Sequence, residues 1–236
     1  MVNTNNETKR AYTAVLEGLK ESMPLDEAMT LIGGGDGGSF DKIGQKQLAV
    51  LRHFGLEPHH HLIEVGCGAG RLAKPMSKYL TGKYSGFDII DENVDYAQKL
   101  VQRPDWTFES IDYISIPEPD GCADMVCFFS VFTHLLNEES YVYLEECVRV
   151  LKPGGRIHFT FMEFREESQW RPFLGLVEGA KEFANSPISM FTHRDTIEFW
   201  AKHLRLKIEE IRSGSDPIFG FCCGSSQCLM STPLTK

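Results

Sequence analysis

Long apolar runs are missing from this 236-residue chain. The longest, residues 125–132, is interrupted by Ser130 and falls far short of the ~20 residues that cross a bilayer, so no membrane span is expected. The first ten residues are polar and hold no apolar signal core. Bases are the scarcer charge, 24 against 33 acids for a net charge of −9, and a nucleic-acid substrate, which calls for a basic face, is not expected. Cysteine is sparse too: seven, scattered and odd in number, which fits a reducing cytoplasm better than a disulfide frame. Cys222, Cys223 and Cys228 sit close together but lack paired spacing and a fourth ligand. Consecutive His59, His60 and His61 point different ways. No metal site is expected. Internal repeats and low-complexity blocks are absent.

What remains is ordinary for a globular chain, 42% apolar and 24% charged, long enough for one good core. The stretch that organises it runs from His61 to Leu72. It reads as a short buried strand, a glycine hinge and the first turn of a helix. Gly66, Gly68 and Gly70 remove Cβ atoms where the backbone turns sharply and a ligand lies against it. The helix beyond aims unpaired N–H groups over the loop. Twenty residues after Gly68, Asp88 closes the next strand and is placed to accept ribose hydroxyls. Strand, loop, helix, strand and acid make a nucleoside-cofactor half-site. From Gly66 the dinucleotide pattern G-x-G-x-x-G fails at Arg71. From Gly68 the looser G-x-G-x-x-A matches through Ala73, so NAD stays open on the loop alone. Glu64 at the loop mouth favours a cationic ligand over a pyrophosphate.

Along the chain, helices are expected over 6–20, with Tyr12, Val15, Leu16 and Leu19 on one face, over 26–32, and over 43–54. A glycine joint at 33–38 separates the last two. Residues 1–55 thus form an N-terminal helical cap or extension, which reads equally as a lid on the cofactor pocket or a structural prop. Strands at 62–65, 83–89, 106–110, 124–129 and 156–161 alternate with helices at 70–80, from Asp91 (as cap) through Val101, and 137–151. Pro75 bends the first of these helices, and Lys152-Pro153-Gly154-Gly155 stops the last. The alternation marks a doubly wound α/β sheet. Asp112, just past a strand end, either forms a turn or accepts from an adenine amino group. An aromatic-rich insertion at 162–191 carries Phe164, Trp170, Phe173, Phe183 and Phe191. It reads as a substrate lid, or as aromatics packing the insertion onto the body. Thr192 caps a helix, and strands at 206–211 and 227–232 end the domain spanning 56–236.

These motifs resemble the class I S-adenosylmethionine-dependent methyltransferases over roughly residues 40–232. Glu64-x-Gly66-x-Gly68-x-Gly70 resembles the family's first motif, Gly86-Phe87-Asp88 its second, and Arg149 through Arg156 its signature after the fourth strand. Residues 130–135 look like a small-molecule subset of the family. The resemblance implies a Rossmann-like, mostly parallel seven-stranded sheet with its last strand inserted antiparallel beside the fifth. It implies S-adenosylmethionine as cofactor. Glu64, Gly66 and Gly68 would line its methionine part, Asp88 its ribose hydroxyls and Asp112 its adenine, and Ser130 would lie near its sulfonium end; Cys67, Gly70, Ile89 and Tyr113 complete the expected cofactor-binding set. Arg71 would meet the cofactor carboxylate or Glu64.

The expected reaction moves a methyl group to an O or N atom of a small molecule. His134 is the favoured base, because an imidazole titrates near neutrality; packing at its turn is the competing role, and His193 is a weaker second choice. The partners expected are a small-molecule acceptor, no nucleic acid and no membrane, and a homodimer is compatible. Two rivals stay open: an NAD-linked oxidoreductase and a non-catalytic module that binds the same cofactor.

Overall fold

Seven strands form, in a computed structural model that describes residues 4–33, 39–182, 189–216 and 225–235. They follow the order β3-β2-β1-β4-β5-β7-β6 in one sheet. β7 (Ser226–Ser231) runs antiparallel to both β5 (Leu151–Phe161) and β6 (Lys207–Arg212), as the resemblance implied. The chain packs as two compact units, 1–113 and 114–236. The expected boundary near residue 55 therefore falls inside the first unit. The glycine joint at 34–38, together with Phe183, Pro187, Cys222 and Cys223, lies outside the described residues.

In the first unit, β1 (Leu62–Val65), β2 (Tyr84–Asp88) and β3 (Thr107–Ser110) pair in parallel, with Leu62 opposite Tyr84 and Asp88 opposite Ser110. Every residue of β1 and β2 is buried, the pattern of a parallel strand covered on both faces. α4 is shorter than expected, Ala73–Tyr79 instead of 70–80. Gly70 adopts φ +84°, a left-handed conformation that cannot enter an α-helix, and Pro75 then sits in the first turn, where its missing N–H does no harm. α5 (Asp91–Val101) buries Asn93, Val94, Ala97 and Val101. Asp91 does not cap it: Ile90 holds the cap position, and the Asp91 carboxylate accepts from Ser110 Oγ instead.

The N-terminal helices α1 (Thr4–Ser22), α2 (Leu25–Ile32) and α3 (Ser39–His53) pack onto the glycine loop itself. Leu16, Ala28, Met29 and Phe40 share one apolar cluster with Ala69. Gly44 lies so close to the loop's exit that a Cβ there would stand 2.1 Å from the Arg71 carbonyl oxygen. Gly44→Ala is therefore expected to push α3 off the loop and cost about 1–3 kcal/mol, the usual range for overpacking. Thermal unfolding should show a loss of roughly 2–4 °C per kcal/mol. An unchanged melting temperature would mean that this approach is not tight.

In the second unit, β4 (Ala123–Phe128) pairs in parallel with β5. The Lys-Pro-Gly-Gly run, expected to stop a helix before the strand, forms the strand's own beginning: β5 starts at Leu151. Its register against β4 jumps from Ala123↔Leu151 to Met125↔Arg156, so the extra residues form a bulge. Gly154 N–H donates to the Pro233 carbonyl and Thr232 N–H to the Gly155 carbonyl, which gives this stretch partners of its own. α6 (Asn137–Val150) buries Tyr143, Leu144, Cys147 and Val150. Near its end, Arg149 bonds Glu146, Asp120 and the carbonyls of Ile116 and Glu118, and so pins the loop ahead of β4. After β5 come α7 (Trp170–Lys181) and α8 (Arg194–His203). His193, not Thr192, occupies the α8 cap position, and Thr192 N–H donates to the Met162 carbonyl.

Candidate functional site

The hinge after β1 is built by three left-handed glycines, with φ +77° at Gly66, +52° at Gly68 and +84° at Gly70. Gly66 and Cys67 N–H groups both donate to the Phe87 carbonyl, at 2.7 and 2.9 Å, so the loop is tied to β2 as it turns. The glycines do different work. A Cβ on Gly70 would meet Ala97 at 3.0 Å, so that position serves the packing of α5. A Cβ on Gly68 would meet nothing within 4 Å, so the loop is open there.

Asp88 stands beneath that opening. One carboxylate oxygen accepts the Gly68 N–H at 2.8 Å; the other accepts the Ile90 N–H at 3.0 Å and Asn93 Nδ2 at 3.2 Å. A single acid thus couples the loop to the turn that starts α5. Burial raises its pKa above the ordinary carboxylate value, while these donors hold it down.

Glu64 is not at the loop mouth, as the sequence suggested. It is the third residue of β1, 3% exposed, and its carboxyl accepts from the Tyr84 phenol. Burial drives its pKa up to about 8; the Tyr84 bond and Arg71 oppose this, and Asp88 adds to it. Arg71 turns toward the cap. Its Nε donates to Gln47 at 3.3 Å and its NH1 to the Gly33 carbonyl. Cys67 is buried, with its Sγ 3.7 Å from the Gly68 carbonyl.

The first unit therefore gathers Glu64, the 66–71 loop and Asp88, with half-buried Ile89 next in chain. Asp112 and Tyr113 are exposed at the end of the same unit. In the second unit, Ser130 and His134 lie within one turn. Ser130 takes φ +62°, unusual for a side chain with a Cβ, and its N–H donates to Thr160 Oγ1 at 2.7 Å. His134 ends a single 3-10 turn (Phe132–His134), half-buried.

Two buried polar atoms of the first unit were not foreseen from the sequence. Thr8 Oγ1 and Asn93 Oδ1 are buried without a hydrogen-bond partner. Asn93 carried a faint signal, standing five residues past the acid. Thr8 carried none, since only the fold brings α1 here. As for the histidines, His61 turns inward to Ser85 Oγ at 3.1 Å, while Glu57, His59 and His60 bring one ligand atom each within 4.8 Å of one another near the surface.

Residues 63–159 match the family described as a methyltransferase domain. The matched stretch resembles a class I methyltransferase domain. Among curated relatives, a sterol 24-C-methyltransferase of Gibberella zeae is 32% identical over 124 residues, which is 50% of this chain and 32% of that protein. The mitochondrial ubiquinone biosynthesis O-methyltransferase of Homo sapiens is 32% identical over 106 residues, 42% of this chain and 28% of that one. The chain thus matches about a third of the length of these relatives. Among solved structures, the magnesium protoporphyrin IX methyltransferase of Synechocystis PCC 6803, with S-adenosylhomocysteine bound, superposes with a TM-score of 0.60 at 17% identity, covering 82% of this chain and 86% of that one. At that identity the likeness concerns the fold alone. The matched residues include the whole glycine loop, Asp88, Ser130 and His134.

Proposed function

We propose that this chain transfers the methyl group of S-adenosylmethionine to an O or N atom of a small molecule with an apolar body. The observation that carries the reading is the clamp of Asp88 on the Gly68 amide beneath an open stretch of left-handed loop. The residues present fit this cofactor. Gly68 leaves room for a ligand against the backbone, and Asn93 Oδ1 is a buried acceptor in want of a donor such as a ribose hydroxyl. An ammonium brought close would draw the Glu64 proton off and gain a carboxylate partner, whereas a pyrophosphate would only press the raised pKa values of Glu64 and Asp88 higher, so the neighbourhood suits the ammonium better. NAD is therefore not favoured. Bound there, the cofactor supplies an already activated methyl group.

The remaining work of the chain is positioning, which supplies about 7–11 kcal/mol of such barriers. We assign Glu64 to the ammonium end, Asp88 and Asn93 to the ribose, and Asp112 with Tyr113 to the adenine. Ser130 goes to the sulfonium end and His134 to the acceptor's proton. A relay of that kind contributes about 10²–10⁴-fold. His134→Ala is expected to lower methyl transfer by that factor while S-adenosylhomocysteine binds as before. Rates within threefold of wild type would leave the imidazole a packing role.

The acceptor class is supported by the insertion. Phe164 and Phe191 stack at 4.3 Å with 10° between ring planes, and Phe173 meets both edge-on. Phe164 and Trp170 remain 48% and 52% exposed, and α7 has no buried residue. The sterol and ubiquinone named for the two curated relatives fit an apolar acceptor. Net charge −9 supports a small molecule over a nucleic acid, and five free thiols among the described residues support a reducing cytoplasm. No helix among the described residues is long and apolar enough to cross a membrane.

The test is thermal unfolding with S-adenosylhomocysteine and, separately, NAD. At about 100 times the dissociation constant the right ligand adds roughly 2.7 kcal/mol, on the order of 5–10 °C here. A shift with NAD alone overturns the proposal.

A further inference from the structure

Thr8, Tyr12 and Leu16 recur every four residues on α1 and share one of its faces. Leu16 is fully buried in the cluster that includes Ala69 of the glycine loop. Tyr12 lies within charge range of Asp88; burial and that carboxylate both raise its phenol pKa above the ordinary value. Thr8 is 6% exposed, yet its hydroxyl has no hydrogen-bond partner. Neither has Oδ1 of Asn93, the residue whose amide nitrogen donates to Asp88. Buried polar groups of this kind are rare without a partner to come. The helix is fastened at both ends by charge. Lys9 Nζ lies 3.2 Å from Asp91, the first residue of α5, and Lys20 Nζ lies 2.8 Å from Glu92.

We propose that α1 completes the nucleoside site: its Thr8–Tyr12 edge closes over the Asp88–Asn93 turn, with Thr8 and Asn93 offering their unpartnered oxygens to the ribose end of the cofactor. This rests on the S-adenosylmethionine reading. Leu16 anchors the middle of the helix in apolar contact, so the end carrying Thr8 and Lys9 is the part that lifts. The Lys9–Asp91 pair is the clasp on that end. Asp91 is well exposed, so the clasp is weak and screened by salt. Cofactor release accordingly quickens as salt rises.

Two variants test this. Thr8→Val keeps the shape and removes the hydroxyl. The free protein should melt at the wild-type temperature or above it, since an unsatisfied group is gone, while S-adenosylhomocysteine binds about three- to tenfold more weakly, the worth of one neutral hydrogen bond. Lys9→Gln should release S-adenosylhomocysteine faster than wild type at low salt and respond less to added salt. In the free protein the same variant should speed hydrogen exchange of the amides at residues 8–12. Unchanged affinity in Thr8→Val, or an unchanged release rate in Lys9→Gln, overturns the proposal. Should wild-type protein bind no S-adenosylhomocysteine, the cofactor reading fails. The exchange experiment still judges the clasp by itself: equal rates in wild type and Lys9→Gln reject it.

Discussion

Glu64→Gln is expected to make the free protein more stable in mild alkali and, in the same stroke, to weaken S-adenosylhomocysteine binding tenfold or more. Burial holds the Glu64 carboxyl near pKa 8, far above its ordinary 4.5. The folded state therefore keeps a proton that the unfolded state has lost. Stability from this group is complete below pH 4.5 and drains away as the pH rises through about 8. His158 has the opposite displacement, its pKa lowered to about 4 by burial, so it adds stability as the pH climbs from 4 to 6.5 and is then silent. Between pH 6.5 and 8, where His158 is silent, Glu64 should make wild type lose roughly 2 kcal/mol at about 1.4 kcal/mol per pH unit. The Gln variant, which has no proton to lose at this position, should fall less steeply there, and any slope that remains belongs to other groups such as Asp88, whose pKa burial also raises. Binding carries the second half of the test. An ammonium brought close favours the ionised carboxylate, so wild-type binding should release a proton and tighten with pH across this window. Calorimetry in buffers of different ionisation enthalpy reads that proton directly. A wild-type stability curve with no fall between pH 6.5 and 8 would show that Glu64 is ionised in the free protein.

The strands and the loop were legible because both announce themselves locally. β1 and β4 are apolar runs between turn residues, and alternate glycines before a helix have few other uses. The failures share a cause: the residues involved are decided by partners far away in sequence. Asp91 looks like a helix cap, yet Ser110 takes its carboxylate. Arg71 looks like a ligand for Glu64 or for a cofactor; it does act on Glu64 through its charge, yet its hydrogen bonds go to Gly33 and Gln47. Gly154 and Gly155 follow a helix that does end at Val150, but they also take backbone partners in Pro233 and Thr232. Thr8 reads as one polar residue in a polar segment, and only its position four residues before Tyr12 places it on a buried face. Local chemistry specified the elements, and long-range pairing reassigned the side chains at their ends.

Asp88→Ala is expected to damage stability and binding together, and the coupling is the informative part. The sequence suggested a simple ribose acceptor, whose loss would touch the ligand alone. The structure makes Asp88 also the internal partner of the Gly68 amide, the Ile90 amide and Asn93. Removing it leaves three donors unpaired, two of them, the Ile90 amide and Asn93 Nδ2, in buried bonds that cost about 1–3 kcal/mol each where water cannot reach. With partial relaxation, a loss of about 3 kcal/mol is expected, or on the order of 6–12 °C in melting temperature. S-adenosylhomocysteine affinity should fall more than tenfold, since the loop that receives it is no longer held and a hydroxyl partner is gone. Hydrogen exchange at Gly68 separates the two contributions, because that amide loses its protection only if the clamp exists in the free protein. A variant that melts as wild type but fails to bind would make Asp88 a ligand acceptor alone. One that melts early yet binds normally would move the ribose contact elsewhere on the turn, to Asn93 or a neighbour. Loss of both, with Gly68 exposed to exchange, is the outcome that the hydrogen bonds around this carboxylate require.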